Sequence, residues 1–157
     1  MDKSINQVLV LRYNNSNEQE YIQEHKTVLQ EYGHVWMLKI GRPPKIELIN
    51  AIHDNGGKIV LCSPKKSNYK MYLCDVVDCY VGSEKEDLHY PEYYKGMRDE
   101  YNERICLRGT WFKITAIRKL QEELRQRLFL TSNERKVDEV IKETRTASLY
   151  AYIKTIV

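Results

Sequence analysis

Short apolar runs of strand length alternate with turn residues through the middle of this chain. The clearest runs lie at 35–40, 59–62 and 70–81. Gly41-Arg42-Pro43-Pro44 follows the first run and Gly56-Gly57 precedes the second, as turn residues commonly do between strands. The segment 33–82 is therefore predicted to form a sheet nucleus that includes one short helix.

Further apolar runs on both sides of this nucleus predict additional strands. They lie at 8–11, 110–117 and 149–153. Together with the three central runs, they predict about five or six strands.

Apolar residues also recur at helical spacing in four places. The first helix is predicted over 18–32 and ends at Gly33, and the second follows Pro44 and ends before Gly56. Two more helices are predicted in the last third of the chain. Their apolar stripes are Leu120, Leu124 and Leu128 for the third, and Val137, Val140 and Ile141 for the fourth.

The order of these elements predicts an α+β fold, with a small, strongly bent mixed β-sheet or barrel and flanking helices. The only crossover with a well-defined helix runs from 35 to 62, and no glycine-rich dinucleotide motif follows a strand. A doubly wound fold is therefore not indicated. At 157 residues the chain fits a single domain, 1–157.

Charge is segregated along the chain. Residues 33–82 carry seven positive and four negative side chains (+3), and residues 104–127 carry seven and two (+5). The loop 83–103 carries three and seven (−4). This asymmetry indicates either a face for a polyanion or a solvated mixed surface, because no single lysine or arginine cluster is dense.

The four cysteines indicate a reduced, cytoplasmic chain. None is part of a CxxC pair, and three lie inside apolar runs, where a free thiol behaves as a small core residue. The sequence has no signal peptide and no apolar run of about 18 residues, so neither secretion nor a membrane span is predicted.

The titratable residues form no recognisable catalytic or metal-binding pattern, and HExxH, GxSxG and P-loop motifs are absent from the sequence. His25 lies on the apolar face of the first predicted helix, where packing is a commoner role than ligation. Asp75 and Asp78 are predicted on opposite faces of one strand, and Cys106 has no neighbouring histidine. We therefore expect a non-catalytic protein with no metal and no cofactor.

The aromatic residues of the strands and of the loop 83–103 suggest a binding surface. Aromatic rings beside basic side chains can hold an unstacked base, since the ring stacks and the cation meets phosphate. Alternatively, the strand aromatics are core, and the loop tyrosines pack down as a lid over a hydrophobic rim. The candidates are Trp36, Tyr80 and Trp111 on strands, and Tyr93 and Tyr94 in the YPEYY sequence of the loop.

Five basic residues fall in the turn after residue 40 and in the hairpin loop 63–70. If those loops share one rim, they form a phosphate-facing edge. The alternative for exposed lysines is plain solubility. The residues are Arg42, Lys45, Lys65, Lys66 and Lys70.

One family matches the order of these pieces over about residues 33–118. VW-x-L-K-I-G-R-P-P, a helix, a buried strand, a loop, YLCDVVDCYVG, YPEYY and WFKI-x-x-I together resemble the EVE-like modules of the PUA-like superfamily, relatives of the YTH and ASCH domains. The resemblance implies a small bent β-barrel that holds a modified or flipped-out base in an aromatic-lined pocket. Modules of this kind are often attached to modified-DNA restriction systems.

By this resemblance, Trp36 and Trp111 would be the pocket walls, and Tyr93 or Tyr94 would close over them. Arg42, Lys45 and Lys66 would contact the nucleic-acid backbone.

We therefore expect a nucleic-acid reader that favours DNA over RNA. A partner protein, or a fused nuclease or NTPase, is compatible with that role. The alternative is a protein-interaction or regulatory module that uses the tyrosine-rich loop 83–103.

Overall fold

Seven strands and four helices make up the part of the chain that the structure describes. This computed structural model describes residues 7–13, 21–63, 70–82, 88–92, 94, 109–143 and 148–154. The strands are β1 (Gln7–Arg12), β2 (Val35–Ile40), β3 (Gly57–Cys62), β4 (Met71–Val81), β5 (Gly109–Lys119), β6 (Leu128–Leu130) and β7 (Ser148–Ile153). The helices are α1 (Tyr21–Tyr32), α2 (Ile46–Asn55), α3 (Glu122–Arg125) and α4 (Val137–Glu143).

The strands form one mixed sheet in the order β2-β5-β4-β3-β1-β7-β6. β1 pairs in parallel with β3, whereas the pairs β1–β7, β6–β7 and β2–β5 are antiparallel. The predicted α+β class with a mixed sheet is confirmed. The strand beyond the predicted six is β6, in a segment that the sequence assigned to a helix.

The sheet is open, so the described strands do not close into the barrel that the sequence offered as an alternative to a bent sheet. At one end, the amide of Trp36 in β2 donates to the carbonyl oxygen of His89 (2.9 Å). At the other end, the amide of Leu130 in β6 donates to the carbonyl oxygen of Arg135 (2.8 Å), and Phe129 lies opposite Lys136. These amide groups of the two terminal strands, which would pair with each other's strand in a closed barrel, are therefore bonded to neighbouring backbone instead.

The chain divides into two compact units. Unit 1 comprises Met1–Gln19, Lys58–Cys74 and Ile117–Val157, and unit 2 comprises Glu20–Gly57 and Asp75–Ala116. The long strands β4 and β5 each contribute residues to both units.

Unit 1 has its own hydrophobic core. Alternate residues of β1, β6 and β7 pack in it together with α4, because every second side chain of a strand faces the same side. The inward positions predicted for α4, which are Val137, Val140 and Ile141, are all buried. Beside this core, the Arg125 guanidinium forms an ion pair with Asp138 (Nε–Oδ1 2.6 Å).

The helix predicted from Leu120, Leu124 and Leu128 is wrong. Only Glu122–Arg125 is helical there, and Leu128 lies in β6 opposite Ile153. All three leucines pack in the core of unit 1, so their spacing identified buried positions correctly. Three apolar residues in such a pattern fit a turn followed by a short strand as well as they fit a helix.

Glycines end both helices of unit 2. Gly33 follows α1 at φ +79°, and Gly56 follows α2 at φ +76° and ψ 178°. The Gly56 amide donates to the carbonyl oxygen of Ile52 (2.8 Å). A Cβ at Gly56 would lie 3.1 Å from the carbonyl oxygen of Val76, whereas a Cβ at Gly33 would meet nothing within 4 Å.

The substitution Gly56→Ala should lower the free energy of unfolding by about 1–3 kcal/mol, because it places a side chain in a glycine-only backbone region and against β4. Gly33→Ala is the matched control, since its φ is similar but its surroundings are open. Chemical denaturation of both variants measures the difference. Equal losses would show that the close approach to Val76 contributes nothing.

Candidate nucleic-acid interface

Unit 2 contains a cluster of aromatic residues, which we call the aromatic cluster. β2 and β5 bring its two indoles together, because Leu38 lies opposite Trp111 and Trp36 lies opposite Lys113 in the antiparallel register. The segment between β4 and β5 adds the rings of Tyr90 and Tyr94, and Tyr94 is helical. The buried members are Trp36, Leu38, Tyr94 and Trp111, and the partly buried members are Ile40, Tyr80, Leu88 and Tyr90.

The rings of the aromatic cluster contact one another in edge-to-face and stacked arrangements. Tyr80 lies 5.6 Å from Trp36 at 70° and 6.4 Å from Trp111 at 17° (centroid distances and interplanar angles). Tyr90 lies 5.6 Å from Trp111, and Tyr94 lies 6.4 Å from it, edge-on at 79°. These separations are those at which aromatic pairs attract each other beyond their buried area.

Both indoles are buried. Trp111 is 1% exposed and Trp36 6%, and the Trp111 Nε1–H donates to the carbonyl oxygen of Gly82 (3.1 Å). Tyr94 is 2% exposed. The sequence allowed these three rings to line a binding surface or to belong to the core, and in the structure they belong to the core. They are therefore interior members of the cluster, and its half-buried rings are those of Tyr80 and Tyr90.

A buried hydrogen-bond network anchors Tyr94. His25 Nδ1 lies 2.7 Å from the Tyr21 carbonyl oxygen, and His25 Nε2 lies 2.8 Å from the Tyr94 hydroxyl. A carbonyl oxygen only accepts, so Nδ1 carries the hydrogen of the neutral ring and Nε2 accepts from Tyr94. The Tyr94 oxygen then accepts from the Tyr21 hydroxyl (3.2 Å). The network connects α1 to the loop before β5.

Burial lowers the pKa of His25 from 6.5 to about 4, although its backbone hydrogen bond to Tyr21 acts in the opposite direction. His25 is therefore neutral at physiological pH, as the network requires. The prediction that this histidine is packed, which followed from its place on the apolar face of α1, is confirmed.

A second group of side chains in unit 2, which we call the surface stack, combines the exposed Tyr32 with the half-buried His34, His89 and Lys113. Tyr32 is 46% exposed and lies flat on His89, with 3.7 Å between ring centroids and 11° between ring planes. His34 lies 5.4 Å from His89. The Lys113 ammonium lies 6.0 Å from the centre of the Trp36 ring. Since Trp36 also donates its amide hydrogen to His89, backbone pairing fixes the surface stack beside the cluster.

The pKa of His34 is lowered by burial, and the nearby charge of Lys113 acts in the same direction. Lys113 supplies an ammonium group to the surface stack. Only a weak signal in the sequence points to these residues: Tyr32 and His34 flank the Gly33 stop of α1, and His89 follows no helical or strand spacing.

The basic residues predicted from the sequence are only partly described. Arg42 and Lys45 are exposed in the segment between β2 and α2, in unit 2. Lys70 is exposed just before β4, in unit 1. Lys65, Lys66 and Tyr93 lie outside the described residues, and so does Cys106. The shared rim of these loops stays a prediction.

The remaining titratable groups show little that points to catalysis. His53 Nδ1 donates to Asp78 Oδ1 (2.6 Å), and the same oxygen accepts from the Cys79 amide. Burial raises the pKa of the Cys62 thiol to about 11 and that of Cys79 to about 12, so these thiols are inert core groups. Within the described ranges, no three histidine, cysteine, aspartate or glutamate residues are placed to hold a metal ion.

No protein-family model matches this sequence, and comparisons with curated proteins and with solved structures also find no match. Among the described helices, none has the length and apolar character needed to cross a membrane.

Protonation of His25 should destabilise the fold in acid. The unfolded chain binds this proton with a pKa of 6.5 and the folded chain with a pKa of about 4. The unfolded state therefore binds more protons between these values, and the free energy of unfolding falls by up to about 3 kcal/mol as the pH drops through that window.

Urea denaturation across this pH range, compared with the non-titrating variant His25→Gln, isolates the contribution of His25. We expect a smaller decrease for the variant. Identical pH dependences would contradict a neutral buried imidazole.

Removal of the Tyr94 hydroxyl should destabilise unit 2. In Tyr94→Phe, His25 Nε2 keeps its burial but loses its donor, and an unsatisfied buried polar group costs about 1–3 kcal/mol. Thermal and urea unfolding measure the loss. The matched control is Tyr32→Phe, which removes an exposed hydroxyl and should change the stability by less than about 0.5 kcal/mol. A Tyr94→Phe variant as stable as the control would contradict the network.

Proposed function

We propose that this protein is a non-catalytic nucleic-acid-binding module whose ligand contacts the surface stack and the half-buried rings of the aromatic cluster. One observation carries the proposal: the exposed Tyr32 ring lies flat on His89, with Lys113 and His34 nearby. Two stacked planar rings beside an ammonium group can accept a base on the outer ring and a phosphate at the cation.

The base would stack on the outer face of Tyr32. Among the described residues, the ring contact of Tyr32 is with His89, on one of its two faces. A base on the other face continues the stack, and a planar tyrosine side chain loses little conformational freedom when it binds. Tyr80 and Tyr90 add half-buried ring surface, supported underneath by the buried indoles.

Lys113 would contact the phosphate. Its ammonium now lies over the Trp36 ring, so the protein holds it beside the stack, and its flexible stem lets it turn toward an anion. His34 would add a second positive charge only when it is protonated, which its lowered pKa shifts to more acidic conditions.

The resemblance to EVE-like modules extends this proposal to a modified or flipped-out base in DNA and to a PUA-like ancestry of the open sheet. Base flipping costs a few kcal/mol, which stacking on the exposed ring would have to offset. A role in defence against foreign DNA, beside a nuclease or NTPase, belongs to the same proposal.

The alternative from the sequence, a protein interface formed by the loop 83–103, has less support. Tyr94, one of the tyrosines of that segment, is 2% exposed and packs inside the aromatic cluster, so it offers no surface to a partner. The alternative becomes the better explanation if no oligonucleotide binds.

The test is a panel of plain and modified DNA duplexes, with matching RNA, measured by fluorescence anisotropy at low salt. Tyr32→Ala should weaken binding by about 5- to 150-fold, which corresponds to the loss of one stacked base. Tyr32→Phe keeps the ring and should bind normally. Ile46→Ala removes another exposed apolar side chain of unit 2 and should have no effect. Absence of binding at low salt, or equal losses in Tyr32→Ala and Ile46→Ala, would contradict the proposal.

A further inference from the structure

Unit 1 has a second surface with aromatic and basic side chains, on the side of β6 and β7 that faces away from its core. Leu128 and Leu130 of β6, with Leu149, Ala151 and Ile153 of β7, pack in the core of unit 1. The alternate residues point to the opposite side of the sheet. We call this side the β6–β7 face, and its side chains are those of Arg127, Phe129, Thr131, Tyr150, Tyr152 and Lys154.

Aromatic rings occupy the middle of the β6–β7 face. Phe129 lies directly opposite Tyr152 in the antiparallel register, and their ring centroids are 6.2 Å apart. Tyr150 lies two residues before Tyr152 on the same strand. Phe129 and Tyr150 are half-buried, so both keep ring surface at the exterior of the protein, whereas Tyr152 is 5% exposed and supports them from within.

Two cations stand at one end of these rings. The Lys154 amide donates to the Arg127 carbonyl oxygen (2.9 Å), and the Arg127 Nε–H donates back to the Lys154 carbonyl oxygen (2.8 Å). The Lys154 ammonium lies 5.4 Å from the centre of the Phe129 ring. The backbone pairing therefore holds an arginine and a lysine next to each other beside an aromatic ring.

Arg127 and Lys154 differ in their charge partners from two other arginines of unit 1. Arg125 is paired with Asp138, and Arg135 with Glu143. In the described part of the chain, neither Arg127 nor Lys154 makes an ion pair. Like charges held opposite each other across a strand pair repel, and an anion between them would relieve this repulsion.

We propose that the β6–β7 face binds single-stranded nucleic acid, with a phosphate between Arg127 and Lys154 and a base on the Phe129 ring. The Nε–H of Arg127 is already bonded, which orients the guanidinium while its terminal nitrogens can bind phosphate. When the Lys154 ammonium turns to bind the phosphate, it uncovers the face of the Phe129 ring, on which the base can then stack. This site lies in unit 1 and is independent of the surface stack.

One carboxylate borders the rings. Glu134 accepts a hydrogen bond from the Tyr152 hydroxyl (3.3 Å). Because its negative charge repels a phosphate backbone, neutralising it with Glu134→Gln should strengthen binding if nucleic acid occupies this face.

The test measures binding of a labelled oligothymidylate of about 12 nucleotides by fluorescence anisotropy, from about 50 mM salt upward. Arg127→Gln and Lys154→Gln should each weaken binding. Each should also make the negative slope of log affinity against log salt shallower by about 0.7, the value for one phosphate contact on a single strand. Phe129→Leu keeps an apolar side chain but removes the ring. It should weaken binding by about five-fold or more, with the salt slope unchanged.

The matched control is Arg135→Gln, which removes the same charge from an arginine of unit 1 that is paired with Glu143. It should leave the salt slope as it is in the wild type. Thermal unfolding of each variant confirms that the fold is kept.

Three results would overturn the inference: a loss in Arg135→Gln as large as in Arg127→Gln, absence of oligonucleotide binding at low salt, or binding to phosphatidylserine vesicles instead. A loss of oligonucleotide binding in Tyr32→Ala but not in Arg127→Gln would also overturn it, while supporting the function proposed for unit 2.

Discussion

The neutral, buried imidazole of His25 is the interaction on which the candidate interface of unit 2 depends. It accepts from the Tyr94 hydroxyl and donates to the carbonyl oxygen of Tyr21, so it joins α1 to the loop before β5. Tyr94 in turn packs edge-on against Trp111. The loop held in this way also supplies His89, whose carbonyl oxygen covers the edge of β2 and whose ring carries Tyr32. The proposed binding surface therefore rests on a core contact, and its deepest rings are buried.

Most of the fold could be predicted from local patterns. The strand at 35–40 and the helix that ends at Gly56 appear with nearly the predicted bounds, because turn residues flank them on both sides. The pattern failed at Leu128, where a three-residue strand is too short to show alternation. The openness of the sheet could not be predicted either. It depends on single backbone hydrogen bonds, such as that from Trp36 to His89, which leave no mark in the sequence.

The aromatic cluster was predictable in part of its membership but not in its depth, and the residues of the surface stack were not predicted. Trp36, Tyr80 and Trp111 were expected to lie together and do so. Whether a strand aromatic faces a ligand or the interior depends on what covers it, and here the covering residues come from a loop without regular spacing. Tyr32 was not predicted as a site residue for a related reason. Its spacing placed it with the apolar residues of the first helix, whereas its ring is 46% exposed and stacks on His89.

The central claim is that nucleic acid meets the exposed ring stack of unit 2 while the buried network stays intact. The four histidines of the chain provide the most direct measurement, by following their ring resonances in NMR spectra during titration with an oligonucleotide. We expect shifts for His34 and His89, and unchanged signals for His25, in its Nδ1–H form, and for His53. Shifts at His25 or His53 with none at His89 would contradict it.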